Sequence, residues 1–155
     1  MKTGEIVIKN LTNENIEESC ELLLNTFPDI TKKDKNNLAS SIETSRSNLY
    51  CKYFVLSKKL SNKVIGITGI YEELKDSNDS CWLGWFCIDK EYQGQGYSKK
   101  LLDFSIDKAL SLGKKQMKIY TYDSSESKKA IGLYKSYGFD VFNKENSYLF
   151  FNKSL

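Results

Sequence analysis

The chain has 155 residues, of which 28% are charged and 40% hydrophobic, with a formal net charge of +3 and no histidine. That length suits one domain, residues 1–155, able to bury about two thirds of its unfolded surface. The charge is too small to argue for nucleic acid, no run approaches the roughly 18 apolar residues of a membrane span, and the N-terminus lacks a signal-peptide stretch. A cytoplasmic protein with neither a nucleic-acid nor a membrane partner is therefore expected.

The missing histidine leaves proton transfer near neutral pH to Glu, Asp, Tyr, Lys, Cys or water, which excludes Ser-His-Asp and Cys-His constellations. Cys20, Cys51, Cys81 and Cys87 show no C-x-x-C spacing. No metal site is expected, and the four thiols are read as free and mostly buried.

In chain order, residues 5–9 alternate as a first strand. Thr12 or Asn13 caps a helix with Ile16, Cys20, Leu23 or Leu24 and Phe27 on its apolar stripe, and Pro28 stops it. Residues 31–48 give a short surface helix with Leu38 and Ile42 as its apolar positions. Its lysines, Lys32, Lys33 and Lys35, read as a solvated face, with a partner-binding patch as the alternative. Residues 49–58 and 64–71 are rich in β-branched and aromatic side chains and form an antiparallel hairpin. Within its second strand, Gly66 and Gly69 mark a bulge, a close approach by a ligand or plain packing.

The run CWLGWFCI, apolar on both faces over 82–88, predicts a central strand covered on each side. It feeds the turn DKEYQGQGYS and then KKLLDFSIDKALSL, which has helical spacing. A strand leading through glycines into a helix start can hold an anion, because the first backbone N–H groups of a helix lack internal partners and the dipole favours negative charge there. The dinucleotide fingerprint fails, since Lys99 stands where its third glycine belongs, and no Walker loop is present. What fits is Gln93-x-x-Gly96-x-Ser98. Residues 114–122 give a further strand, 124–137 a helix with Ala130, Leu133, Tyr134 and Tyr137 on one stripe, and the remainder a closing hairpin turned at NKEN.

The segment FCIDKEYQGQGYSKKLL resembles the pyrophosphate arm, Q/R-x-x-G-x-G/A, of the GNAT family of N-acetyltransferases, with Ser98 departing from the usual Gly or Ala. The run KKAIGLYKSYGF resembles that family's A-x-x-L-Y-x-x-x-G-F segment, in which the tyrosine lies beside the cofactor sulfur. The resemblance covers residues 64–139 well and the N-terminal helices by order of elements. It implies an α/β fold, the acyl-CoA N-acyltransferase fold, with a mixed, mostly antiparallel sheet of six to seven strands and helices on both faces. It also implies acetyl-CoA as cosubstrate, without a metal, and acetyl transfer to a primary amine, small-molecule or peptide.

Residue by residue, the resemblance assigns the phosphates to the turn Gln93, Gly94, Gln95, Gly96, Tyr97 and Ser98, with Lys99 as a nearby point charge. Pantetheine contacts fall on the backbone of Phe86, Cys87 and Ile88 and, where the family often has Asn, on Ser127. Tyr97 and Cys87 have packing as their rival role. Tyr134 becomes the general acid for the departing thiolate. For the base, Glu72 is preferred narrowly to Glu73, with an ordered water, oriented by Tyr122, as the rival. The rival readings are a catalytically silent acyl-CoA-binding module, which would keep the QGQGYS cradle without needing Tyr134, and an adaptor domain using the lysine-rich second helix, which would need neither; the chain is expected as a monomer or homodimer.

Overall fold

The computed structural model describes residues 5–27, 32–40 and 49–155. In chain order the strands are β1 (Ile6–Asn10), β2 (Cys51–Lys58), β3 (Val64–Tyr71), β4 (Ser80–Ile88), β5 (Gln116–Tyr122), β6 (Asp140–Glu145) and β7 (Tyr148–Ser154). The helices are α1 (Ile16–Thr26), α2 (Lys32–Ser40), α3 (Tyr97–Ser111) and α4 (Lys128–Ser136). The strands make a seven-stranded sheet in the order β1-β2-β3-β4-β5-β7-β6. Only the β4–β5 pair is parallel, and the other neighbours are antiparallel. This is the mixed, mostly antiparallel sheet expected from the sequence.

The near-continuous apolar runs of β2, β3 and β4 reflect cover on both faces. On one face, Leu22 and Leu23 of α1 and Leu38 of α2 pack against Tyr53, Val55, Ile67 and Cys87. On the other, Leu102 and Ala109 of α3 and Tyr134 of α4 pack against Ile70, Leu83, Met117 and Phe151. A parallel pair cannot be joined by a tight turn, so β4 and β5 need a crossover, and α3 supplies it. That helix ends where Gly113 turns to φ 79° and the Lys114 N–H closes on the Ala109 carbonyl at 3.0 Å. Such a left-handed glycine lets the chain reverse directly into β5.

Local boundaries differ from the sequence expectation for identifiable reasons. Helix α1 starts at Ile16 because the Asn15 side chain folds back on the preceding loop, its Oδ1 accepting from the Thr12 N–H at 2.8 Å and its Nδ2 donating to the Asn10 carbonyl at 3.1 Å. The buried positions of that helix are Ser19, Leu22 and Leu23, while Cys20 is half-buried. The expected fourth helix opens as a 3-10 turn over Ser125–Ser127 before α4 begins. The closing hairpin turns at Asn146 and Ser147, both at positive φ, so Lys144 and Glu145 stay in β6. Pro28, expected to stop the first helix, and Ile42, expected as an apolar position of the short surface helix, lie outside the described residues.

Candidate active site

Pairing between β4 and β5 is confined to Ser80–Trp82 against Gln116–Lys118. Both strands continue, to Ile88 and Tyr122, so they part after Trp82 and, among the described residues, β4 keeps only β3 as a neighbour. On the β3 side, Gly69 faces Gly84 and Ile67 faces Cys87, so Trp85 and Phe86 together oppose Thr68. Trp85 stands at φ 22°, which a bulky residue adopts only where its surroundings impose it. The result is a bulged central strand whose β5 side is open over Phe86, Cys87 and Ile88. Backbone groups left without a ladder partner seek another one.

The glycine turn lies immediately beyond that opening. The Asp89 N–H donates to the Ile65 carbonyl at 2.8 Å, and the Asp89 carboxylate accepts from the Glu91 N–H at 3.0 Å, fixing a 3-10 turn over Lys90–Tyr92. Gln93 Nε2 then donates to the Ile88 carbonyl at 3.0 Å, tying the turn to the strand end. Gly94 and Gly96 follow at φ 79° and 86°. A Cβ added at either would meet nothing within 4 Å. Conformation alone therefore demands the glycines, and the space above them is open. Gly96 is the N-cap of α3 and offers no side-chain bond to the first N–H groups, which leaves the positive end of the helix unsatisfied.

Around this turn, Gln95 Nε2 reaches the Glu91 carbonyl at 3.4 Å, Ser98 is half-buried and Lys99 is exposed. The Tyr97 ring packs into the core with Leu56, Ile65, Ile88 and Leu101, 6.5 Å from the Tyr92 ring. Only its backbone stands at the turn.

Tyr134 is 4% exposed and meets three rings edge-on: Phe86 at 6.1 Å, Phe139 at 6.1 Å and Phe151 at 5.9 Å. Helix α4 thus brings the candidate acid against the bulge residue of β4. Burial raises its phenol pKa well above the ordinary value, so it stays protonated. Among the described residues its hydroxyl makes no hydrogen bond, and it is not one of the sealed, unpartnered oxygens, which belong to Tyr50, Ser57 and Asn152.

Ser127, the N-cap of α4, has its hydroxyl 3.2 Å from that of Ser124. Cys87 is buried with Leu22, Leu23 and Val55, and burial pushes its thiol up to about 12. Ile88 is buried against Tyr97 and Leu101.

Glu72 lies in a different setting. Its Oε1 accepts from the Tyr50 N–H at 2.6 Å and its Oε2 takes the ammonium of Lys114, which also donates to the Asn78 carbonyl at 2.6 Å. Lys114 is buried, and with the Tyr50 N–H it holds the Glu72 carboxyl below its ordinary value. Both oxygens are already engaged. Glu73 is exposed, and Tyr122 is half out in solvent with its ring 5.0 Å from that of Tyr148.

Two residues that the sequence reading passed over contribute here. Local pattern gives Lys114 only as a strand start, and its partner 42 residues away is not readable from it. Tyr53 of β2 lies across Gly69 and Gly84: a Cβ at Gly69 would stand 2.2 Å from its ring, and one at Gly84 2.6 Å from its hydroxyl oxygen. A tyrosine in register with glycines on the next two strands was the available signal.

The fold is shared with solved acetyltransferases. A GNAT family acetyltransferase from Elizabethkingia anophelis, with acetyl-CoA bound, superposes with a TM-score of 0.74 at 21% identity, covering 99% of this chain and 100% of that one. The PaiA N-acetyltransferase from Thermoplasma acidophilum, in complex with coenzyme A, gives 0.77 at 19% identity over 97% and 99%. A ribosomal-protein alanine N-acetyltransferase from Escherichia coli gives 0.76 at 18% identity over 97% and 94%. No curated protein sequence matches the chain. The family model described as "Acetyltransferase (GNAT) family" matches residues 16–139, and with the glycine turn and the parted strands in place, the chain belongs to the GNAT family of acetyltransferases.

Proposed function

We propose that this acetyltransferase moves the acetyl group of acetyl-CoA to a primary amine, small-molecule or peptide, by direct attack. One observation carries the placement: the β4–β5 opening begins at the strand whose far end runs into the Gly94–Gly96 turn. The pyrophosphate would rest on the backbone N–H groups of Gly94 to Ser98, with Lys99 as a point charge, and pantetheine would take the free edge of Phe86, Cys87 and Ile88, with Ser127 at its flank. The thioester carbonyl would then lie against a fixed backbone donor where negative charge develops.

In the reaction the amine lone pair forms a bond to the carbonyl carbon, the C–S bond breaks, and the thiolate takes a proton from the Tyr134 hydroxyl. The amine proton leaves to water, which later restores the phenol through the solvent. Water suits the base role better than Glu72, whose carboxylate is held by Lys114 and Tyr50 and has lost basicity. Glu72 is assigned instead to bracing the end of β3.

Calorimetric titration with acetyl-CoA, using adenosine diphosphate and pantetheine as controls, tests the placement. One saturable site per chain, with each fragment binding more weakly, is expected. A folded sample that fails to bind acetyl-CoA rejects the site.

A further inference from the structure

Tyr53 reaches across the sheet to the edge of the opening. It sits on β2, yet its ring covers Gly69 on β3 and its hydroxyl stands over Gly84 on β4, the last residue paired to β3 before the Trp85–Phe86 bulge. Both positions tolerate no Cβ beneath the ring, so the two glycines and the tyrosine form one packed unit. This unit belongs to the α1 face, with Leu22, Leu23 and Val55, whereas Tyr134 belongs to the α3 and α4 face. The opening thus has a tyrosine on each side.

The Tyr53 hydroxyl is unusual in a residue only 8% exposed, because among the described residues it donates and accepts no hydrogen bond. A buried hydroxyl needs a small polar partner.

We propose that Tyr53 limits the length of the acyl group this enzyme accepts, an inference that rests on the thioester lying in the β4–β5 opening. With the pyrophosphate at the start of α3 and the sulfur beside Tyr134, the acyl end emerges on the α1 face beside Gly84. An acetyl methyl stops short of the phenol and leaves room for water on its hydroxyl. A longer chain needs the volume that the ring occupies, and it would press methylenes on a hydroxyl that must keep a polar partner.

The test is calorimetric titration of the full chain with CoA, acetyl-CoA and hexanoyl-CoA, for wild type and Tyr53→Leu. Wild type should bind hexanoyl-CoA about tenfold more weakly than acetyl-CoA, and Tyr53→Leu should bring the two within about threefold while CoA affinity stays unchanged. Tyr53→Met, flexible and closer in volume, makes the same measurement with the same criteria if the leucine variant does not fold. Equal binding of the two thioesters by wild type, or an unchanged gap in the variant, overturns the inference. Failure of CoA itself to bind wild type would remove the cofactor site and this inference with it, and is told apart because CoA carries no acyl group.

Discussion

Buried Lys114 and half-buried Glu72 form an ion pair that ties the start of β5 to the end of β3, with the Tyr50 N–H and the Asn78 carbonyl completing their hydrogen bonds. The Lys114 side chain is only 5% exposed, so an unpaired ammonium there is costly. Glu72→Gln should destabilise the protein by about 1–3 kcal/mol at neutral pH, measured by urea unfolding. Because the folded carboxyl is held below its ordinary value of 4.5, the stabilisation is present above that pH and is lost as pH falls through the folded value. The gap between wild type and variant should therefore narrow at acid pH. Turnover of the folded variant should stay within about threefold of wild type, and a loss near a hundredfold would return the base role to Glu72.

The Tyr134 ring is held by Phe86, Phe139 and Phe151, and its hydroxyl bonds to none of the described residues, so Tyr134→Phe keeps the packing and removes only the proton source. Stability and acetyl-CoA affinity should be preserved, while kcat should fall about a hundredfold. The rate should also rise with pH as the amine deprotonates, with no descending limb from this phenol in the ordinary tyrosine range, since burial raises its pKa. Unchanged turnover in the variant would remove Tyr134 from the reaction.

Much of this arrangement was legible in the sequence, because β3, β4 and the Gln93–Ser98 turn are written in local pattern: apolar runs bounded by polar turns, then glycines before a helical period. The Gly66 and Gly69 spacing hinted at irregularity, and the register does shift between Ile67 and Gly69. What local pattern cannot carry is partnership at a distance. Glu72 reads equally well as a base or as half of an ion pair until Lys114 is seen beside it. The parting of β4 from β5 depends on where pairing stops, and Tyr53 acquires meaning only through the register that sets it over Gly69 and Gly84.

Gly96 separates two effects that usually travel together. At φ 86° any L side chain costs about 1–2 kcal/mol, but nothing within 4 Å would clash with it. Gly96→Ala and Gly96→Glu should therefore lose similar thermal stability. Only the glutamate places negative charge at the start of α3, and its CoA affinity should fall about tenfold below that of the alanine variant. Equal CoA affinities in the two variants would move the pyrophosphate elsewhere.

Cys87 offers the clearest contrast between proximity and chemistry. It lies on the open stretch of β4, where a nucleophile would be well placed, yet burial pushes its thiol up to about 12 and leaves almost no thiolate at neutral pH. Direct attack by the amine needs no acyl-enzyme. Cys87→Ala should cost about 1 kcal/mol of stability through lost apolar burial, with kcat within about threefold of wild type. Alkylation at neutral pH, followed by peptide mass mapping, should mark the half-buried Cys20 and Cys51 before the buried Cys81 and Cys87. Preferential labelling of Cys87, together with a variant that has lost turnover, would replace direct transfer with a route through an acetyl-thioester on the protein.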